Sequence, residues 1–66
     1  MPSITLNGEI KTINATSPAA LLLELGLGQK QAAVEINREI IPRSQHADRP
    51  IRDGDEVEVI SFVGGG

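Results

Sequence analysis

Apolar and polar residues alternate through Ser3-Ile4-Thr5-Leu6 and again, less regularly, from Glu9 to Ile13, with Asn7-Gly8 between the two runs. A two-residue type I′ turn needs positive φ at both central positions, which Asn-Gly tolerates, so this stretch predicts a β-hairpin with Ile4 and Leu6 on one face. Ile10 and Ile13 lie three apart and cannot share a strand face, which leaves the register of the second strand open. The period then lengthens. Leu21, Leu22 and Leu25 recur at helical spacing behind Ser17-Pro18, where a hydroxyl can accept from an orphan backbone N–H and a proline occupies the first helical position. Gly26 is placed to end this helix of two or three turns in a left-handed cap.

Gly26 to Gln31 reads as a loop, after which Ala33-Val34-Glu35-Ile36-Asn37 returns to strict alternation, a half-buried strand with Val34 and Ile36 inward. Ile40-Ile41 forms a further short strand that Pro42 confines to an edge or a strand end, since proline donates no ladder bond. The polar stretch from Arg43 to Arg49 predicts a surface turn or a short 3₁₀ segment. Asp53-Gly54-Asp55 makes a tight turn into the longest β-type run, Glu56 to Val63. Along it Val57, Val59, Ser61 and Val63 share one face, and Glu56, Glu58, Ile60 and Phe62 share the other. Strand, strand, helix, strand, strand, strand implies an α+β domain, one short helix across a mixed sheet of four or five strands. The last strand reaches the first only as a parallel neighbour through the helical crossover, which is the β-grasp arrangement. Residues 1–63 form this domain, and 64–66 are expected to be a flexible glycine tail.

Composition limits what such a domain can do. A chain of 66 residues buries only about 60% of the surface its unfolded form exposes. Phe62 is the sole aromatic residue, so the core is small and aliphatic. No cysteine is present, which removes disulfides, thiolate metal sites and a nucleophilic thiol together. A net charge of −3 argues against nucleic-acid binding. No basic region followed by an apolar run opens the sequence, and Ala19 to Leu23 is too short an apolar stretch to span a membrane. A cytoplasmic protein without membrane contact is the expectation. Charge is also uneven: Arg38 to Arg52 is net basic, whereas Asp53, Asp55, Glu56 and Glu58 crowd the end without a Lys or Arg, an arrangement suited to a basic partner surface.

Side-chain chemistry finds little support. His46 stands alone within a polar segment, where a surface or locally hydrogen-bonded histidine is expected rather than a ligand or base. Glu56 and Glu58 read as an exposed acidic edge, not as a general acid and base, and no metal-ligand spacing occurs. The end of the chain is different. Gly64-Gly65-Gly66 follows directly on the longest strand, and residues without side chains can thread a narrow channel in a partner. Ile60 and Phe62 place an apolar patch at the root of this tail, which suits docking. A terminal carboxylate is an anion and a poor acyl electrophile until it is activated as an acyl adenylate. With no cysteine present, the terminus is where this chain could carry sulfur covalently.

Ala33-Val34-Glu35-Ile36-Asn37, Pro42-Arg43-Ser44, Asp53-Gly54-Asp55 with the β run behind it, and the terminal Gly65-Gly66 together resemble the ThiS family of sulfur carriers in bacterial thiamine biosynthesis. Arg38 stands where that family often has a turn glycine, and His46 where a Trp is common. The resemblance implies a ubiquitin-like β-grasp fold and a protein co-substrate rather than an enzyme. It implies that Gly66 is adenylated by a ThiF-type activating enzyme, with ATP used there and no cofactor bound by the carrier itself. Gly66 would then become a thiocarboxylate with sulfur from a cysteine desulfurase relay and donate it to a ThiG-type thiazole synthase. Gly64 and Gly65 would line the path into those enzymes, and Ile60 and Phe62 would belong to the docking face. A molybdopterin-type sulfur carrier, usually longer, and a non-covalent ubiquitin-like interaction module remain the alternatives.

Overall fold

The computed structural model describes residues 1–62; Val63 and the three glycines expected to form the tail lie outside the described residues. Strands β1 (Ser3–Leu6) and β2 (Glu9–Thr12) form the expected antiparallel hairpin, with Thr5 opposite Ile10 and Leu6 opposite Glu9. Its turn carries φ of 48° at Asn7 and 86° at Gly8, positive at both central positions as a type I′ turn demands. The pairing settles the register left open above. Ile10 shares the solvent face with Thr5 and is exposed, whereas Ile13, one residue beyond β2, is buried.

Helix α1 (Pro18–Glu24) begins as its residues dictate: Ser17 is extended, and its hydroxyl oxygen accepts from the Ala20 N–H at 3.2 Å. Leu21 and Leu22 are completely buried. Leu25, expected on the same face, is not part of the core. The helix stops at Leu25, Gly26 takes a φ of 79°, and the Leu27 N–H returns to the Leu22 carbonyl at 2.8 Å while Gly26 N–H returns to Leu23. This Schellman turn folds Leu27 back against the helix, so Leu27 packs on the core and Leu25 is left in solvent. The Glu24 carboxylate accepts from the Asn14 and Ala15 N–H groups and ties the helix to the segment before it.

Strands β3 (Ala32–Ile36) and β4 (Glu39–Ile41) form a second antiparallel hairpin, and β5 (Glu56–Ser61) completes a five-stranded sheet in the order β2-β1-β5-β3-β4. As expected, β5 is parallel to β1, with Thr5 opposite Glu56, and β4 lies at an edge. The core lies between α1 and one face of the sheet, where Ile4, Leu6, Val34, Ile36 and Val57 meet Leu21 and Leu22. Ile51, in the loop before β5, is also buried. No helix among the described residues is long and apolar enough to cross a membrane.

Candidate functional site

The end of β5 is where sequence and structure converge. Alternation along the strand buries Val57 and half-buries Val59, while Glu56, Glu58 and Ile60 stand on the solvent face. Ile60 is 51% exposed and Phe62 63%, so both expected docking residues are accessible. Ile60 lies directly opposite Ala33 in β3, and Ile40 of β4, opposite Glu35, is 71% exposed on the same face. Ile40 thus joins the apolar patch, although it sits in another strand and its place there depends on pairing that local sequence does not reveal. Phe62, Ile40 and Pro42 border a cavity of about 180 Å³. A larger depression, about 430 Å³, is lined by Leu25, Leu27, Val59 and Ser61 together with β1 and β2 residues.

Both sides of β5 are secured by asparagines from the two hairpin turns. The Asn37 side-chain oxygen accepts from the Glu56 N–H at 2.9 Å, and the Asn37 N–H donates to the Glu56 carbonyl at 2.7 Å. On the other side Asn7 Oδ1 accepts from the Val59 N–H at 2.8 Å, and Asn7 Nδ2 donates to the Val59 carbonyl at 3.3 Å. Beyond β5, the Phe62 N–H donates to the Gln31 carbonyl at 2.7 Å.

The acidic end proves to be two different things. Asp53 accepts from the Ser3 N–H at 2.6 Å, and Asp55 accepts from the Arg52 N–H and from Asn37 Nδ2, so both also hold neighbouring segments in place. Glu56 lies 3.8 Å from Arg38, the one ion pair among the described residues. Glu58 and its cross-strand neighbour Glu35 have no such partner and are the carboxylates left beside Ile60.

His46 is buried, 3% exposed, and not at the surface. The 3₁₀ turn η1 (Arg43–Gln45) tucks it beneath β4, where Nε2 lies 3.0 Å from the Ile41 carbonyl, to which it can only donate, and Nδ1 lies 3.1 Å from Gln29 Oε1. Its own carbonyl accepts from the Ala19 N–H. Local hydrogen bonding, the other half of that expectation, holds at Ile41, whereas Gln29 reaches the ring from a distant segment. A histidine with both ring nitrogens engaged in this way joins α1 to β4 and has no nitrogen directed at a substrate. No group of three His, Asp or Glu side chains able to hold a metal ion occurs among the described residues. Gly64, Gly65 and Gly66, the remaining expected site residues, lie outside them.

Comparison with known proteins agrees with this geometry. The ThiS family profile matches residues 4–66. The sulfur carrier protein ThiS of Thermus thermophilus is 38% identical over 63 residues, which cover 96% of this chain and 98% of that protein. A thiazole synthase of Paramagnetospirillum magneticum is 42% identical over 64 residues, covering 96% of this chain but 20% of that protein, so the chain spans about one fifth of this relative. The crystal structure of the thiamine biosynthesis protein ThiS from Geobacter metallireducens superimposes with a TM-score of 0.78 at 32% identity, covering 97% of this chain and 99% of that one. Of the readings held open above, these matches fall on thiamine biosynthesis.

Proposed function

The chain belongs to the ThiS family, as a sulfur carrier of thiamine biosynthesis, and from that premise we propose that its reactive group is the carboxylate of Gly66. A ThiF-type enzyme joins that carboxylate to the AMP moiety of ATP and releases pyrophosphate. The terminal sulfur of a persulfide supplied through a cysteine desulfurase relay then attacks the acyl carbon and displaces AMP. A thiol of the partner enzymes reduces the resulting acyl disulfide, leaving a thiocarboxylate on the carrier and a disulfide on the donor side. The carrier provides no catalytic side chain of its own. It presents a terminus, with Gly64 and Gly65 narrow enough to follow a channel to the partner's active site. Thiazole synthase is the acceptor of the sulfur. That a segment 42% identical to this chain makes up 20% of a thiazole synthase supports the pairing, because a fused carrier and acceptor must meet.

The observation that carries this reading is the family match, which runs through to Gly66. Ile60 and Phe62, exposed at the end of β5, supply the docking surface, with Glu35 and Glu58 beside them for a basic patch on the partner. Its test is the intact mass of the full chain after incubation with ATP, a ThiF-type enzyme and a sulfur source. The expected product gains one sulfur in place of one oxygen. A chain lacking Gly66 gains nothing. Uptake of sulfur by the shortened chain, or none by the full chain with its own enzymes, rejects the assignment.

A further inference from the structure

The β1 ladder runs out before β5 does. β1 ends at Leu6 and pairs with β5 only at Glu56 and Val57, whereas β5 continues to Ser61. In a parallel pair the next rung on this side falls at Val59, whose N–H and carbonyl would face the depression beside Leu25 and Leu27 with no strand to meet them. Asn7 fills that rung with a side chain. Its amide offers an acceptor and a donor in the spacing of a peptide group, and takes both backbone groups of Val59 at 2.8 and 3.3 Å. Turn chemistry does not require this. At the first position of a type I′ turn a glycine satisfies the positive φ equally well, so the side chain's reach to a residue 52 positions away is a separate property.

We infer that Asn7 is a positioning residue for the reaction proposed above: it stands in for the missing strand, holds Val59 in the sheet, and so sets the direction in which the chain leaves β5 toward Gly66. Gly66 lies four positions beyond Phe62, and the reach of the terminus into a partner's active site is counted from where the fold last holds the chain. The Phe62 N–H to Gln31 bond holds the strand end on the β3 side, and Asn7 holds Val59, three positions earlier, on the β1 side.

The test compares the full chain with Asn7→Gly and Asn7→Asp. Glycine keeps the turn and removes both bonds. Aspartate keeps the acceptor for the Val59 N–H and loses the donor to the Val59 carbonyl. Amide hydrogen exchange read by NMR is expected to quicken at Val59 by about tenfold in Asn7→Gly and less in Asn7→Asp, with Ile36 and Val57 unchanged. In pyrophosphate release by a ThiF-type enzyme, kcat is expected to fall about tenfold in Asn7→Gly with KM within about twofold, and Asn7→Asp to lie between. Unchanged exchange at Val59, unchanged kcat, or a kcat that falls only with the unfolded fraction would each overturn the assignment. The inference rests on the carrier reading, and the wild-type chain separates the two: no pyrophosphate from wild type defeats that reading, whereas turnover of wild type matched by Asn7→Gly defeats the role of Asn7 alone.

Discussion

Glu35 and Glu58 stand directly opposite each other across β3 and β5, two carboxylates side by side on the solvent face of the sheet with no cation between them. Like charges in this position oppose folding by about 0.2–1 kcal/mol. Glu58→Gln is therefore expected to raise stability by about 0.5 kcal/mol at low ionic strength. The gain should shrink in molar salt, where screening shortens the reach of the repulsion. Urea titrations at two salt concentrations measure both effects, and no gain at low salt would show that the pair is not repulsive. The same variant should bind thiazole synthase more weakly, since the repulsion is what a basic partner relieves.

Arg38 occupies the second central position of the β3–β4 turn with a φ of 70°, in a conformation that favours glycine. Its exposed ion pair with Glu56, at 3.8 Å, contributes little in return. Arg38→Gly is expected to stabilise the domain by about 0.5–1 kcal/mol, relief of the left-handed strain outweighing the added freedom of the unfolded chain. A denaturation midpoint equal to or below that of the wild type would rule this out.

His46→Ala is expected to cost about 2–3 kcal/mol, because it opens a void beneath β4 and strands the Ile41 carbonyl and the Gln29 side chain. Chemical denaturation gives the loss. Adenylation of the fraction that remains folded should proceed at the wild-type kcat; a large fall in kcat without unfolding would reveal a role in the reaction that its buried position does not suggest.

Phe62→Ala and Ile60→Ala should leave the unfolding midpoint nearly unchanged, because both side chains are already more than half exposed. Each should weaken binding to thiazole synthase by about 1–2 kcal/mol, or roughly five- to thirtyfold in Kd, if the patch sits near the centre of the contact. Calorimetric titration decides it, and unaltered affinity removes that residue from the interface.

What was legible in the sequence depended on local chemistry. Asn7-Gly8, Ser17-Pro18 and the alternation from Glu56 onward each act within a few residues, so the turn, the helix start and the exposed placement of Ile60 and Phe62 follow directly. Features made by distant partners were hidden. Leu25 has helical spacing, but the turn at Gly26 hands its place to Leu27. His46 has polar neighbours in sequence, yet η1 folds it under the sheet, where its partners are Gln29 and Ile41. Asp53 and Asp55 read as surface charge, but their oxygens also bond to donors in two other segments, at Ser3 and Asn37. Asn7 was read as a turn residue, and its second task appears only once β5 lies beside it.

The strand that joins the two hairpins is the last to be synthesised. β2-β1 and β3-β4 share no ladder of their own; each meets the sheet through β5. A nascent chain that has emerged only as far as Ile51 therefore holds two separate ribbons and a helix with nothing continuous to lie on, each too small to persist alone. Assembly waits for the closing segment to clear the ribosome, and a chain that stops short of β5 has no sheet on which its two hairpins can meet.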